Sequence, residues 1–121
     1  MNIETALKEA MAIDGAIGVA LVDYESGMPL GMLGGGHGLD LEIAAASNTD
    51  VVRAKKRALA TLGMDDTVED ILITLGKQYH LIRPMADNAG SLFLYLALDR
   101  ERANLALARH ALRGIERELQ V

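Results

Sequence analysis

Cysteine is absent from the 121 residues, which removes disulfides, thiolate metal sites and a cysteine nucleophile together. Aromatic residues make up only 3% and tryptophan is missing, so platforms for stacking nucleic-acid bases are scarce. The formal net charge of -5 argues in the same direction, because nucleic-acid affinity comes mainly from neutralising phosphates. No apolar run is long enough to cross a bilayer, and Met1 to Met11 carries Glu4, Lys8 and Glu9 where a secretory leader would be greasy. The expectation is a cytoplasmic chain that neither inserts into a membrane nor binds nucleic acid.

Catalytic signatures are equally sparse. Ser26, Ser47 and Ser91 are the only serines, and none lies in a G-x-S-x-G turn. His37, His80 and His110 lack metal-binding spacing. His80 reads as a partly buried strand residue, with His37 and His110 solvated. Asp23, at the end of an apolar segment, is placed to bond turn backbone rather than to move protons. The glycines Gly34, Gly35, Gly36 and Gly38 precede a helix start, where a phosphate could be cradled. However, the run has neither a GKS/GKT ending nor GxGxxG spacing, so it reads as a connector. No catalytic, cofactor-binding or metal-ligating residue is nominated, and the chain is expected not to be an enzyme.

What the chain does have is the balance of a folded domain, with 50% hydrophobic and 24% charged residues. Its length suits one domain spanning residues 1–121. Ile3, Ala6, Leu7, Ala10 and Met11 share a helical face, with Asn2 as cap. Ala16 to Tyr24 and Met28 to Leu33 read as strands joined at Gly27, and Pro29 confines the second to a sheet edge. Thr67 to Leu75, Gln78 to Arg83 and Ser91 to Leu98 read as three more strands. A type II′ turn is expected at Gly76-Lys77 and another turn at Asp87 to Gly90. Asp99 is expected to cap a last helix with a seam of Leu105, Ala108, Leu112, Ile115 and Leu119 opposite Arg102, Arg109, Arg113 and Arg117. The fold class is α+β. The order helix, two strands, helix, three strands, helix suggests a five-stranded antiparallel sheet, with the middle helix on one face and the N- and C-terminal helices on the other.

The most distinctive stretch is the middle helix, Asp40 to Leu62, ~35 Å long at the helical rise per residue. Its apolar stripe runs through Leu41, Ala44 or Ala45, Val51 or Val52, Leu59 and Leu62, with Asn48 inside it. Many of its side chains are small (Ala44, Ala45, Ala46, Ala54 and Ala58), which lets a second backbone come close. Arg53, Lys55, Lys56 and Arg57 form a basic cluster, read as complementing the negative end of the helix. Asp65, Asp66, Glu69 and Asp70 form an acidic cluster just beyond.

The segments ALVDYESGMPLG, the Ala-rich helix with its basic tail, EDILITLGKQYHLIRPM and SLFLYLALD resemble the Roadblock/LC7 family over nearly the whole chain. The closest likeness is to stand-alone bacterial and actinomycete members. The turn glycines Gly27, Gly76 and Gly90 match the family pattern. The resemblance implies the strand order 2-1-5-4-3 and dimerisation through the middle helix and third strand, joining two sheets into one. It also implies a non-enzymatic partner of small Ras-like GTPases, as activator, scaffold or adaptor, that remodels the GTPase rather than inserting an arginine.

With that strand order, the third strand is a free edge carrying Ile71, Leu72, Ile73 and Leu75 without proline, and pairing with its own copy removes an aggregation hazard. The expected dimer interface comprises Ala44, Asn48, Val51, Val52, Lys55, Leu59, Asp70, Ile71, Leu72, Ile73 and Thr74, with Asn48 setting register. It would bury on the order of 1,600 Å² or more. Lys55, Lys56 and Arg57 are the expected GTPase-facing residues, meeting acidic groups of that partner. The alternative is a PAS- or profilin-like small-molecule sensor, or an adaptor without a GTPase. A sensor needs a cavity with converging polar groups, and the sequence shows no polar cluster to line one.

Overall fold

The computed structural model describes residues 1–36, 38–86 and 91–121, so His37 and the turn expected over residues 87–90 lie outside the described residues. The elements run α1 (Ile3–Met11), β1 (Ala16–Asp23), β2 (Pro29–Gly34), α2 (Leu41–Leu62), β3 (Ile71–Thr74), β4 (Gln78–Pro84), β5 (Leu92–Asp99) and α3 (Leu105–Glu118). The strands form one sheet in the order β2-β1-β5-β4-β3, with antiparallel pairing throughout. No described helix is long and apolar enough to cross a membrane.

Both sheet faces are covered, which explains why β5 reads as an unbroken apolar run: every residue from Leu92 to Leu98 is buried. Leu92, Leu94, Leu96 and Leu98 join Val19, Leu21 and Leu81 under α1 and α3, where Ala6, Leu7, Ala10, Ala108, Leu112 and Ile115 close the layer. Phe93, Tyr95 and Ala97 join Ala20, Val22 and Ile82 beneath α2, which contributes Leu41, Ala45 and Val52. The period-two alternation along each strand thus serves two separate cores.

Local chemistry sets most boundaries. The Asn2 side chain accepts the Thr5 N–H at 2.9 Å, and α2 stops at Gly63, whose φ of 69° is the left-handed cap that glycine adopts without strain. At the first hairpin, Asp23 Oδ2 accepts from Ser26 Oγ at 2.6 Å and from Ser26 N–H at 3.3 Å. The Ser26 hydroxyl is the main reason this carboxyl lies below its ordinary pKa. Pro29 is the first residue of β2, an edge strand, as its missing N–H requires.

Three local expectations are corrected. Asp99 does not cap the last helix: its carboxylate accepts the Glu101 N–H at 3.0 Å in a preceding turn, and Asn104 caps α3 through the Leu107 N–H at 3.1 Å. Gly76-Lys77 is a two-residue connection closed by Leu75 N–H to the Gln78 carbonyl at 2.8 Å. Gly76 is not in the positive-φ region, however, so the turn is not type II′. β3 begins at Ile71, not Thr67: Ile71 faces Ile82, and the β3–β4 pairing does not continue to Arg83 and Pro84, although β4 itself runs on to Pro84, which has no N–H to give. Asp70 instead turns to α3, where Arg109 binds it through two bonds of 2.6 and 3.0 Å. Arg109, expected on a solvated face, is therefore part of what anchors the approach to β3.

Candidate interaction surface

The glycine run is the first candidate to resolve. Gly36 and Leu39 exchange backbone bonds of 3.1 and 2.9 Å, making a tight return into α2. Asp40 Oδ1 accepts the N–H groups of Glu42 and Ile43 at 3.0 and 3.2 Å. The donors that a phosphate would use are thus filled by the chain's own carboxylate.

The long helix carries two stripes, not one. Leu41, Ala45, Asn48, Thr49 and Val52 are buried against the sheet. About 100° around the helix, Val51, Ala54, Lys55 and Ala58 recur at three- and four-residue spacing and line an open groove. The opposite wall is the segment Asp66–Asp70 leading into Ile71, and the groove measures about 920 Å³. The sequence left Ala44 or Ala45, and Val51 or Val52, as interchangeable, but Val52 belongs to the buried stripe and Val51 to the groove, while Ala45 is buried and Ala44 packs at the margin of the core. Ala45 and Val52 are sealed in the core, while Ala44 and Val51 are only partly buried.

Of the residues expected at a dimer interface, Val51, Lys55, Leu59, Asp70 and Ile71 line this groove. Ile73 lies half-buried on the same sheet face, Thr74 is exposed at the tip of the strand, and Leu72 points to the opposite face against the α1/α3 core. Val52 and Asn48 look inward, as interior residues of their own fold. Ala54 and Ala58, counted among the small side chains of the stripe but not among the interface residues, line the groove as well, and so does Val68, which the sequence did not single out. Leu62, placed on the stripe by periodicity, is 66% exposed because the last turn of α2 extends past its sheet contacts.

Asn48 belongs to a polar chain under α2. Its Nδ2 donates to the Ala44 carbonyl at 2.8 Å. The Tyr95 hydroxyl lies 3.3 Å from His80 Nδ1, and His80 Nε2 lies 2.8 Å from Gln78 Oε1. Burial pushes the Tyr95 hydroxyl up to about 12, partly opposed by the Asn48 amide nearby. Burial likewise holds the His80 imidazole below its ordinary value, favouring the neutral ring.

The basic cluster diverges around the helix. Lys55 borders the groove; Lys56 Nζ sits 4.2 Å from the centre of the Tyr24 ring; Arg57 is exposed. Arg53 folds over the same hairpin, donating through Nη2 to the carbonyls of Tyr24 and Glu25 at 3.2 and 2.6 Å. The cluster does not serve the end of the helix dipole, because the last turn of α2 holds no basic residue. Its physical tasks are instead a cation–π contact and closure of the first hairpin.

A second cavity, of about 600 Å³, lies behind the segment Met64–Glu69 and reaches Arg83, Met85 and Glu116. Arg83 Nε and Glu116 Oε1 form a buried ion pair at 2.7 Å, and Glu116 Oε2 accepts the Ala86 N–H at 3.3 Å.

No protein-family model and no curated protein matches this sequence. Among solved structures, MglB of Myxococcus xanthus superposes with a TM-score of 0.76 at 18% identity, covering 94% of this chain and 85% of that one. A Roadblock/LC7 domain from Streptomyces avermitilis gives 0.78 at 13% identity, covering 97% and 93%. An MglB in a tetrameric arrangement gives 0.69 at 18% identity, covering 95% and 88%. The chain has the Roadblock/LC7 fold.

Proposed function

We propose that residues 1–121 form a single Roadblock/LC7-like domain that acts as a non-enzymatic homodimer, binding a small Ras-like GTPase and modulating its nucleotide cycle or localisation. The observation that carries this reading is the groove between the rear of α2 and β3. An open apolar wall, small side chains and a strand edge with no neighbour among the described residues lie together, and a second copy would supply a facing helix and a ladder partner. The likeness to MglB, one example of which is described as tetrameric, supports self-association, and the family resemblance supports a GTPase partner.

In this reading the two α2 helices meet at Val51, Ala54, Lys55 and Ala58, and β3 pairs with its copy along Ile71 to Thr74. The exposed Lys55 and Arg57, with Lys56 on Tyr24, supply positive charge for an acidic surface of the GTPase. A small Ras-like GTPase recovered from native extract tests the reading by binding to the wild type and to a variant with Lys55, Lys56 and Arg57 changed to Glu. At low salt the variant is expected to bind at least about tenfold more weakly, and Lys56→Glu/Arg57→Glu, which leaves Lys55 in the helix seam unchanged, should show weakened binding with the dimer intact. Equal binding by the wild type and both variants would remove these residues from the partner surface.

A further inference from the structure

The cavity behind Met64–Glu69 carries an inference that does not depend on the dimer. Its floor is Arg83, only 9% exposed, and the guanidinium is tied to Glu116 through Nε alone. Among the described residues nothing accepts from Nη1 or Nη2, and neither atom is sealed away from solvent without a partner. A buried fork whose two Nη donors have no acceptor among the described residues therefore borders a cavity of about 600 Å³, a size suited to a small ligand.

The surrounding charges narrow the class of ligand. Arg83 and Glu116 cancel, and Lys56, whose ammonium lies on the Tyr24 ring, makes no ion pair with the mouth carboxylates Asp66 and Glu69, so the formal charge of the lining is one negative in excess and the mouth itself is acidic. A simple anion would satisfy Arg83 but meet that excess. A simple cation would suit the carboxylates and leave the fork unused. A small zwitterion satisfies both ends. Between them the wall is apolar, formed by Leu59, Met64, Val68 and Met85.

We propose that this cavity binds a free α-amino acid with an apolar side chain, its carboxylate on the Nη1 and Nη2 atoms of Arg83, its ammonium toward Asp66 and Glu69, and its side chain against Leu59, Met64, Val68 and Met85. Two parallel N–H donors match a carboxylate in a way one ammonium cannot. Leu59, Asp66, Thr67, Val68 and Glu69 line both this cavity and the groove, so a ligand here contacts the wall of the proposed interface.

Isothermal titration of the intact chain with L-leucine and L-methionine tests the assignment, with isovalerate and isoamylamine as probes lacking one charge each. The amino acids are expected to bind below about 10 mM, and each single-charge probe at least about tenfold more weakly. Val68→Trp, which fills the cavity, should abolish binding, and the exposed pair Asp66→Asn/Glu69→Gln should weaken it about tenfold without changing the melting temperature of the free protein. Arg83→Lys keeps a charge opposite Glu116 while removing the fork, and should lose binding; if it does not fold, the other variants still decide. No heat with either amino acid at about 10 mM, equal binding of isovalerate, or full binding by Val68→Trp would overturn the proposal.

Discussion

The front and rear halves of α2 are continuous in backbone and both rich in alanine, yet they do different work. From Leu41 to Val52 the helix presses a buried stripe onto the sheet, including two polar residues, Asn48 and Thr49, each bonded to a carbonyl one turn back. From there to Leu62 none of its residues is fully buried, and its small side chains face a groove across from the acidic segment before β3. The front half is spent on the fold of one chain. The rear half is a surface that one chain leaves uncovered, and the difference comes from register rather than hydrophobicity.

The most severe way to break this comparison is a charge in the front half. Val52, 1% exposed, changed to Asp should cost more than about 3 kcal/mol and leave the chain unfolded, as read by circular dichroism and urea titration. The same charge in the rear, Ala58→Asp, should keep the fold within about 0.5 kcal/mol while weakening self-association at least about tenfold, ~1.4 kcal/mol, in sedimentation equilibrium. Unfolding by Ala58→Asp would show that the rear half is core after all.

The two ends of the helix sharpen the contrast at a smaller scale. Asp40→Ala removes the carboxylate that caps Glu42 and Ile43, and should cost about 1 kcal/mol of stability. Gly63→Ala forces a side chain onto a φ of 69° and should cost a similar ~1 kcal/mol. Neither should change the dimerisation constant, since neither residue lines the groove.

The smallest effect concerns pH and the polar chain beneath the front half. The lowered pKa of His80 means that the unfolded state takes up a proton first as pH falls, so the contribution of its neutral ring is present above pH ~6.5 and fades below it. Tyr95 has the opposite sign: its hydroxyl stays protonated to about 12 in the fold, so stability is lost as pH rises from ~10 toward that value. Urea melts from pH 5 to pH 8 should show a shallower slope for His80→Gln than for the wild type. Identical slopes would place the acid sensitivity elsewhere.

The sequence conveyed the architecture through turn chemistry and alternation. Gly27, Pro29, Asp40 and Gly63 each mark a boundary by a local conformational demand, and β5 announces its central place by an unbroken apolar run. Features decided by distant partners were not legible. Asp70 reads as part of a strand begun at Thr67 until Arg109, 39 residues away, is seen to hold it. Asp99 and Asn104 are both competent caps, and only the extra turn between them chooses. Val51 and Val52 differ by one helical step that no periodicity count resolves, yet that step separates groove from core, and the same step from Ala44 to Ala45 separates a partly buried residue from a sealed one. The Arg83 cavity was invisible for the same reason: its polar members come from α2, the segment before β3, β4 and α3, and no window of sequence holds them together.

Hydrogen exchange at Ile71 to Thr74, followed as a function of protein concentration, bears most directly on the claim that this edge is completed by a second copy. The account predicts amides that become protected as concentration rises through the micromolar range, in step with a mass of about twice 13.0 kDa in sedimentation. Outward amides of β3 that exchange freely at every concentration, on a particle of 13.0 kDa, would contradict it.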